Sequence, residues 1–169
     1  MNNFIELCRG IKSRPNMYMH PVQYYSAVNL VTGYDYATNS LLLEGFHEWL
    51  NVRLGFRCSW HWGRLFQMIV FPKTPDLFEK WSKVEPSVEQ DKLAISKLFD
   101  ELEEFYLIKK DRNKGLRWIY AQYDELCKKE DEEIDKEFEQ LDEVGESLPC
   151  ICDIRCYVND ESEMPIDPK

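Results

Sequence analysis

The sequence contains no long hydrophobic run. Its longest apolar stretches, residues 41–43 and 68–71, are far shorter than the ~20 residues that a membrane-spanning helix requires. The N-terminal residues also lack the basic cap and apolar segment of a secretory signal. We therefore expect a cytoplasmic protein that has no membrane partner.

Histidine and glycine are scarce, at three and seven residues. His47-Glu48 begins the His-Glu-x-x-His motif of zinc proteases, but Asn51 occupies the position of the second histidine. His61 lies between two tryptophans and His20 is isolated. The chain has neither a G-x-S-x-G motif nor a glycine-rich phosphate loop. We expect no catalytic residue and no cofactor, and we keep an enzyme with an unrecognised site as an alternative.

Six cysteines are present, but their spacing does not fit a metal site. Cys8, Cys58 and Cys127 are isolated in apolar or aromatic segments, where reduced cysteine packs as a small hydrophobic residue. The other three share one face of a predicted strand: Cys150, Cys152 and Cys156. Same-face neighbours on a strand lie about 7 Å apart, too far to share one tetrahedral ion. Because disulfides are rare in the cytosol, we expect free thiols and no metal ion.

Apolar residues are plentiful and recur with helical period. They make up 44% of the chain, with nine Phe, nine Tyr and five Trp, which is enough for one core. The predicted helices cover about residues 4–11, 23–38, 41–54, 76–83, 88–109 and 115–144. Asn39 or Ser40 is the expected cap of the third helix, and Ser87 that of the fifth. Gly115 marks the break between the last two helices.

Two segments are candidates for short β-strands. Residues 60–70 fit a helix capped by Ser59, but residues 66–71 fit a short buried strand equally well. Residues 148–158 alternate between apolar and polar positions, which is the period of a half-buried strand. The expected fold is therefore mainly α, a single-domain helical bundle with one or two short β-strands near 66–71 and 148–158.

The net charge of −10 is unevenly distributed. Residues 124–169 hold 17 acidic and 5 basic residues, whereas residues 1–123 hold 14 acidic and 16 basic residues. We divide the chain into a helical core domain (1–123), an acidic helical segment with a C-terminal strand packed on the same domain (124–158), and a frayed tail (159–169). An acidic segment repels nucleic acid and favours basic protein surfaces, although a solvated, solubilising face has the same composition.

Several short motifs in the first 72 residues are distinctive in combination. They are Ser13-Arg14-Pro15-x-Met17-Tyr18, Gly33-Tyr34-x-x-Ala37, Gly45-Phe46-x-x-Trp49-Leu50 and Arg53-Leu54-Gly55. With these motifs, residues 4–72 resemble a family of small bacterial proteins that occur among the immunity proteins of polymorphic and contact-dependent growth-inhibition toxin systems. The resemblance implies a toxin domain as the partner and supplies no catalytic residue. Within the motifs we expect four fold determinants: Arg14, Tyr18, Tyr34 and Trp49.

The leading hypothesis is a non-catalytic immunity protein that binds and neutralises a cognate bacterial toxin with a basic surface. A regulatory or adaptor module that binds a basic protein through the same face is the alternative. The partner is expected to contact acidic residues around the narrow apolar stripe of Ile134, Phe138 and Leu141. These residues are Glu130, Asp131, Glu132, Glu133, Asp135, Glu137, Glu139, Asp142 and Glu143. The loop at 17–22 and the strand at 150–158 are the other candidate surfaces.

Overall fold

The computed structural model describes residues 3–71 and 86–142, which form six α-helices. The helices are α1 (Asn3–Ser13), α2 (Tyr24–Ala37), α3 (Phe46–Leu54), α4 (Trp62–Val70), α5 (Val88–Lys110) and α6 (Gly115–Asp142), with a short 3-10 helix at Pro15–Met17. The prediction of a mainly α helical bundle is confirmed. The predicted helix at 76–83 and the strand at 148–158 lie outside the described residues.

The predicted strand at 66–71 is wrong, because residues 62–70 form α4. The helix begins at Trp62 and is capped by His61 instead of the predicted Ser59, since His61 Nδ1 accepts a hydrogen bond from the backbone N–H of Gly63 at 3.1 Å. Leu65 and Phe66 then point into the core, where each has at most 1% of its surface exposed. An apolar run of this length is compatible with a strand or a helix. Here the His61 cap and the burial of both Leu65 and Phe66, which are adjacent in sequence, fit a helix.

Helix α3 begins at Phe46, five residues later than predicted, because the preceding segment forms a turn. Asn39 and Ser40 adopt the left-handed conformation within this turn, with φ of 59° and 57°, and Gly45 is the N-cap of α3 in their place. Asp35 organises the turn, since its Oδ1 accepts hydrogen bonds from the backbone N–H groups of residues 42 and 43, both at 2.9 Å. Lys109 closes it by donating to the carbonyl oxygens of residues 41 and 44, at 2.5 and 2.9 Å.

Helix α5 is the central element and contacts α1, α2, α4 and α6. It begins with the predicted cap: the Ser87 hydroxyl accepts from the Gln90 backbone N–H, and the Gln90 side chain accepts from the Ser87 backbone N–H. The largest fully buried aromatic residues pack around this helix or on it. They are Tyr24, Phe46, Phe66, Phe99 and Phe105. The core is therefore aromatic and lies between α5 and the N-terminal helices.

Buried polar groups connect the helices to one another. Asp91 of α5 is 5% exposed and accepts a hydrogen bond from the Tyr24 backbone N–H at 2.7 Å, so it caps the N-terminus of α2. The buried Glu101 of α5 accepts from Trp49 Nε1 at 2.6 Å and pairs with Arg53 at 3.1 Å. A buried carboxylate without such partners would be costly, so these contacts fix α2 and α3 against α5.

The four motif residues expected to determine the fold lie in different environments. Trp49 is buried, with 4% of its surface exposed. Tyr34 is half-buried, with its ring centroid 5.8 Å from that of Phe4. Tyr18 is 41% exposed, and Arg14 is exposed. The Tyr18 hydroxyl nevertheless lies 2.7 Å from the position that a Cβ on Gly10 would occupy, so the ring closes over a glycine.

Candidate functional site

Helix α6 carries most of the acidic residues and leaves α5 at a short, well-defined turn. Asp111 Oδ1 accepts hydrogen bonds from the backbone N–H groups of Asn113 at 2.7 Å and Lys114 at 3.0 Å. These two bonds hold the pKa of Asp111 below its usual value. Gly115 follows with φ of 62°, a conformation that favours glycine, and starts the new helix. The turn therefore sets the direction in which α6 leaves the bundle.

The first turns of α6 pack on the core. Ile119 is fully buried, and Leu116 and Trp118 pack against the same cluster. The Trp118 ring lies 6.3 Å from that of Trp49 on α3. We call residues 3–71 and 86–119 the body, because they share this core. The predicted domain boundary between residues 123 and 124 falls within α6, which continues without interruption to residue 142.

Farther along α6, Arg57 from the loop between α3 and α4 holds two consecutive carboxylates. Its backbone N–H and its Nε donate to the two carboxylate oxygens of Glu130, at 2.9 and 2.7 Å. One Nη donates to Asp131 Oδ1 at 2.5 Å. Burial disfavours the charged guanidinium, but the hydrogen bonds to Glu130 and Asp131 outweigh it and raise the pKa of Arg57 above its usual value. We call these three residues the Arg57 clamp.

Two of the predicted contact residues, Glu130 and Asp131, are already bound by Arg57 in the clamp. Glu130 is only 5% exposed and has both oxygens bonded to Arg57, so it holds α6 in place. Asp131 is exposed on one side while it pairs with the same arginine. A basic partner would have to compete with Arg57 for these two carboxylates. They are therefore positioning residues for α6.

Three other predicted contact residues, Glu132, Glu133 and Asp135, are exposed on α6. Glu137, Glu139 and Asp142 belong to the same helix, although only their backbone is described. Glu143 lies outside the described residues. The exposed carboxylates follow the clamp directly, so they extend from a point at which the helix is fixed. We call residues 131–142 distal α6.

The narrow apolar stripe predicted on distal α6 has two described side chains. Ile134 is half-buried, whereas Phe138 keeps 42% of its surface exposed. Both continue the line of the buried Glu130 at intervals of four residues, on one flank of the helix. Ile119, on the same helix, has no exposed surface. Exposure along this flank therefore increases from Glu130 through Ile134 to Phe138, whose ring is accessible.

A second group of acidic residues adjoins the first half of α6 and was not recognised from the sequence. Burial raises the pKa of Tyr120, and the nearby carboxylates of Glu48 and then Glu44 add to the effect. Tyr120 is 37% exposed, and Asp124, one turn later, is exposed as well. Residues 44 and 48 are far from the acidic segment in sequence, and only the packing of α3 on α6 brings them together.

The histidines have structural hydrogen bonds. His47 Nε2 lies 3.1 Å from the carbonyl oxygen of Trp60, and its Nδ1 lies 3.1 Å from Asn51 Nδ2. Because the amide nitrogen donates, Nδ1 accepts and the proton sits on Nε2. His61 caps α4 through Nδ1, and burial together with the neighbouring His47 lowers its pKa. The partners of both rings in these hydrogen bonds are backbone groups and an asparagine amide.

The thiols of the described part of the chain are isolated from one another. Cys8, Cys58 and Cys127 form no disulfide, and burial raises the pKa of Cys8 to about 12, which makes it a poor nucleophile. Within residues 3–71 and 86–142, no three His, Cys, Asp or Glu side chains are grouped as metal ligands would be. The cluster of Cys150, Cys152 and Cys156 lies outside these residues.

The other predicted surface, the loop at residues 17–22, exposes apolar side chains at its beginning. Met17 is 71% exposed, and Tyr18 follows it, whereas Met19 is buried in the core and holds the loop down. The loop has no excess of either charge, so it offers apolar contact without electrostatic direction. In the described ranges, none of the helices has the length and apolar composition needed to span a bilayer.

Comparison of the chain with protein-family models, with curated proteins and with solved structures found no significant match. The resemblance of residues 4–72 to immunity proteins therefore stays a prediction. The function has to be argued from the geometry of the helices and the distribution of charge.

Proposed function

We propose that this chain is a non-catalytic binding protein, an immunity protein that binds and neutralises a cognate bacterial toxin domain through the acidic face of α6. One observation carries the proposal: the Arg57 clamp fixes α6 at residues 130 and 131, and exposed carboxylates follow at Glu132, Glu133 and Asp135. A charged face on a fixed helix loses less conformational entropy on binding than a flexible tail of the same composition.

The chemistry of this face favours a basic partner. Distal α6 contains seven acidic residues and one lysine, a net charge of −6. Such a field attracts a positively charged surface, speeds the encounter and repels nucleic acid. Toxins that cleave nucleic acid have basic substrate clefts, and an acidic helix that covers such a cleft would exclude the substrate. The motifs of residues 4–72 support the toxin class of partner, and the charge supports the mode of binding.

The proposal that the chain is not an enzyme rests on how its reactive side chains are used. Within the described residues, His47 and His61 hydrogen-bond to a backbone carbonyl and a backbone N–H, and Cys8 is buried. Glu101 and Asp91 are bonded to a tryptophan and to a helix N-terminus. The two histidines and two carboxylates thus each have a structural partner, and the Cys8 thiol is not accessible to a substrate.

The test is co-expression of the chain with the product of the gene adjacent to its own. We expect that product to arrest growth when expressed alone, and the chain to restore growth and to co-purify with it. Replacing both Glu132 and Asp135 by Lys should slow association about tenfold at low salt, with a smaller effect at physiological ionic strength, because charges are screened over about 8 Å there.

The matched control reverses two exposed carboxylates on other helices, Glu6 on α1 and Glu89 on α5. These changes alter the net charge equally, so an effect specific to the α6 face must exceed theirs. An adjacent gene product that is harmless but binds the chain would indicate an adaptor instead of an immunity protein. A toxic product that the chain neither binds nor neutralises would contradict the proposal.

A further inference from the structure

Phe138 is the one exposed aromatic side chain described on distal α6, and 42% of its surface is accessible. Ile134 lies one turn before it and is half-buried. The two side chains form an apolar strip along one flank of the helix. Asp135 borders this strip three residues before Phe138, and Asp131, which Arg57 holds, lies three residues before Ile134. The surface is therefore an apolar centre edged by carboxylates.

This arrangement has the anatomy of a protein-binding interface. Interfaces place an aromatic or aliphatic anchor at the centre, where it is fully desolvated, and charged residues at the rim, where they remain hydrated. The anchor determines how long a complex lasts, whereas the rim charges determine how fast it forms. On distal α6 the carboxylates correspond to the rim and Phe138 with Ile134 to the anchor.

Charge decides which occupant fits the strip. A second copy of the chain would bring two helices together that each carry a net charge of −6 over residues 131–142. Nucleic acid and anionic lipid would meet the same repulsion. A protein surface that places lysine or arginine around an apolar pocket satisfies both the strip and its acidic edge.

We propose that Phe138, supported by Ile134, is the anchor of the docking surface, and that it inserts into an apolar pocket rimmed by basic residues on the partner protein. The inference rests on the proposed function for the identity of the partner and adds where the binding energy is concentrated. It assigns the carboxylates of distal α6 that follow Asp131 to recruitment and orientation.

The first experiment measures association and dissociation rates with the product of the adjacent gene. Phe138→Ala should raise the dissociation rate ~30-fold or more, as hot-spot residues do, and should change the association rate less than about twofold. The matched control is Leu107→Ala on α5, which removes an apolar side chain that is 54% exposed. If Phe138→Ala binds and dissociates as Leu107→Ala does, while reversal of Glu132 and Asp135 slows association, the anchor is wrong and the proposed function stands.

A second experiment does not depend on the toxin. The probes are two 14-residue peptides of equal positive charge, one of Lys and Leu with a helical apolar face and one of Lys and Gln. We expect the Lys–Leu peptide to bind the wild-type chain about tenfold more tightly, and this preference to fall severalfold in Phe138→Ala but not in Leu107→Ala. Equal binding of the two peptides, or a preference that survives Phe138→Ala, would overturn the inference.

The combined outcomes separate the two proposals. A peptide preference that depends on Phe138, found together with no binding of the adjacent gene product, would retain the anchor and reject the immunity function. Sedimentation of the free chain completes the test. A dimer that dissociates in Phe138→Ala would show that the strip is covered by a second copy, and this would overturn the basic partner.

Discussion

The body and distal α6 are held in place by different forces. In the body, aromatic side chains from several helices share one core, and carboxylates such as Asp91 and Glu101 are buried with dedicated partners. Distal α6 follows a single arginine that binds two neighbouring carboxylates, and its described apolar side chains are Ile134 and Phe138. The body is held by side-chain packing among several helices. Distal α6 is held at its beginning by the ion pairs of Arg57 with Glu130 and Asp131.

The difference shows how a protein can carry an acidic surface on a stable frame. The described side chains beyond the clamp do not contribute to the aromatic core, so core volume does not constrain their identity. Arg57 binds Glu130 and Asp131, at the point where distal α6 begins. We therefore expect charge changes at the exposed residues Glu132, Glu133 and Asp135 to have little effect on the stability of the body.

The largest effect is expected in the core of the body. Phe105 is 1% exposed and lies 5.0 Å from Phe46 between ring centroids. Phe105→Ala should lower the free energy of unfolding by about 3–5 kcal/mol, because it leaves a cavity among aromatic rings. Denaturant unfolding measures the loss. Leu107→Ala, two residues along the same helix at an exposed position, should cost less than ~0.5 kcal/mol. Similar losses for the two variants would contradict the position of the core.

The clamp should have the next largest effect. Arg57→Met leaves Glu130 buried without its cation and should cost about 1–3 kcal/mol, since an unpaired buried charge is expensive. The double variant Arg57→Met with Glu130→Met removes both charges and should recover much of the loss. Arg117→Met, at an exposed position of α6, is the control. The coupling free energy comes from denaturant unfolding of the wild-type chain, the single variants Arg57→Met and Glu130→Met, and the double variant. A coupling near zero would mean that the ion pair does not hold α6.

The next effect in size concerns the stability that the Ser87 cap gives to α5 at the surface of the body. Ser87→Ala removes the hydroxyl that accepts from the Gln90 backbone N–H and should lower stability by about 1 kcal/mol. Ser96 is exposed in the middle of the same helix, so Ser96→Ala should be neutral or slightly stabilising. Thermal unfolding compares the two serines directly. An equal effect at both positions would show that the capping box contributes nothing.

The smallest effect concerns the pH dependence contributed by His61. Burial, followed by the neighbouring His47, lowers the pKa of His61 in the folded chain, so the unfolded state binds the proton more readily. The stabilising contribution is therefore present at neutral pH and is lost as the pH falls below about 6.5, the ordinary histidine value. His61→Asn keeps an acceptor for the cap and does not titrate. Urea midpoints at pH 7.5, 6.5 and 5.5 should fall less steeply for this variant than for the wild-type chain.

Local sequence patterns predicted most of the helices correctly. The Ser87 cap, the break before Gly115 and the end of α3 at Gly55 each depend on residues close in sequence, and the structure has all three. The strand at 66–71 was wrong because a short apolar run does not distinguish strand from helix. The start of α3 was wrong because Asp35 and Lys109, both outside the segment, impose a turn on residues 38–45.

The candidate surface was predictable in composition but not in its division of roles. Exposed acidic residues after position 131 follow from the sequence. The assignment of Glu130 to a structural ion pair does not, because its partner Arg57 is 73 residues away. The contribution of Glu44 and Glu48 beside Tyr120 likewise depends on helix packing. Long-range contacts of this kind leave no local pattern that a single sequence can reveal.

The bond between Asp91 and the start of α2 also bears on how the chain is completed during synthesis. The backbone N–H of Tyr24 receives its acceptor from a residue 67 positions later. When the first four helices leave the ribosome, Asp91, which caps the N-terminus of α2, has not yet been synthesised. The same is true of the rest of α5, the central helix against which α1, α2 and α4 pack. Helices α1, α2 and α4 therefore lack their main packing partner until α5 has been made, and we expect the body to form as one unit after that point.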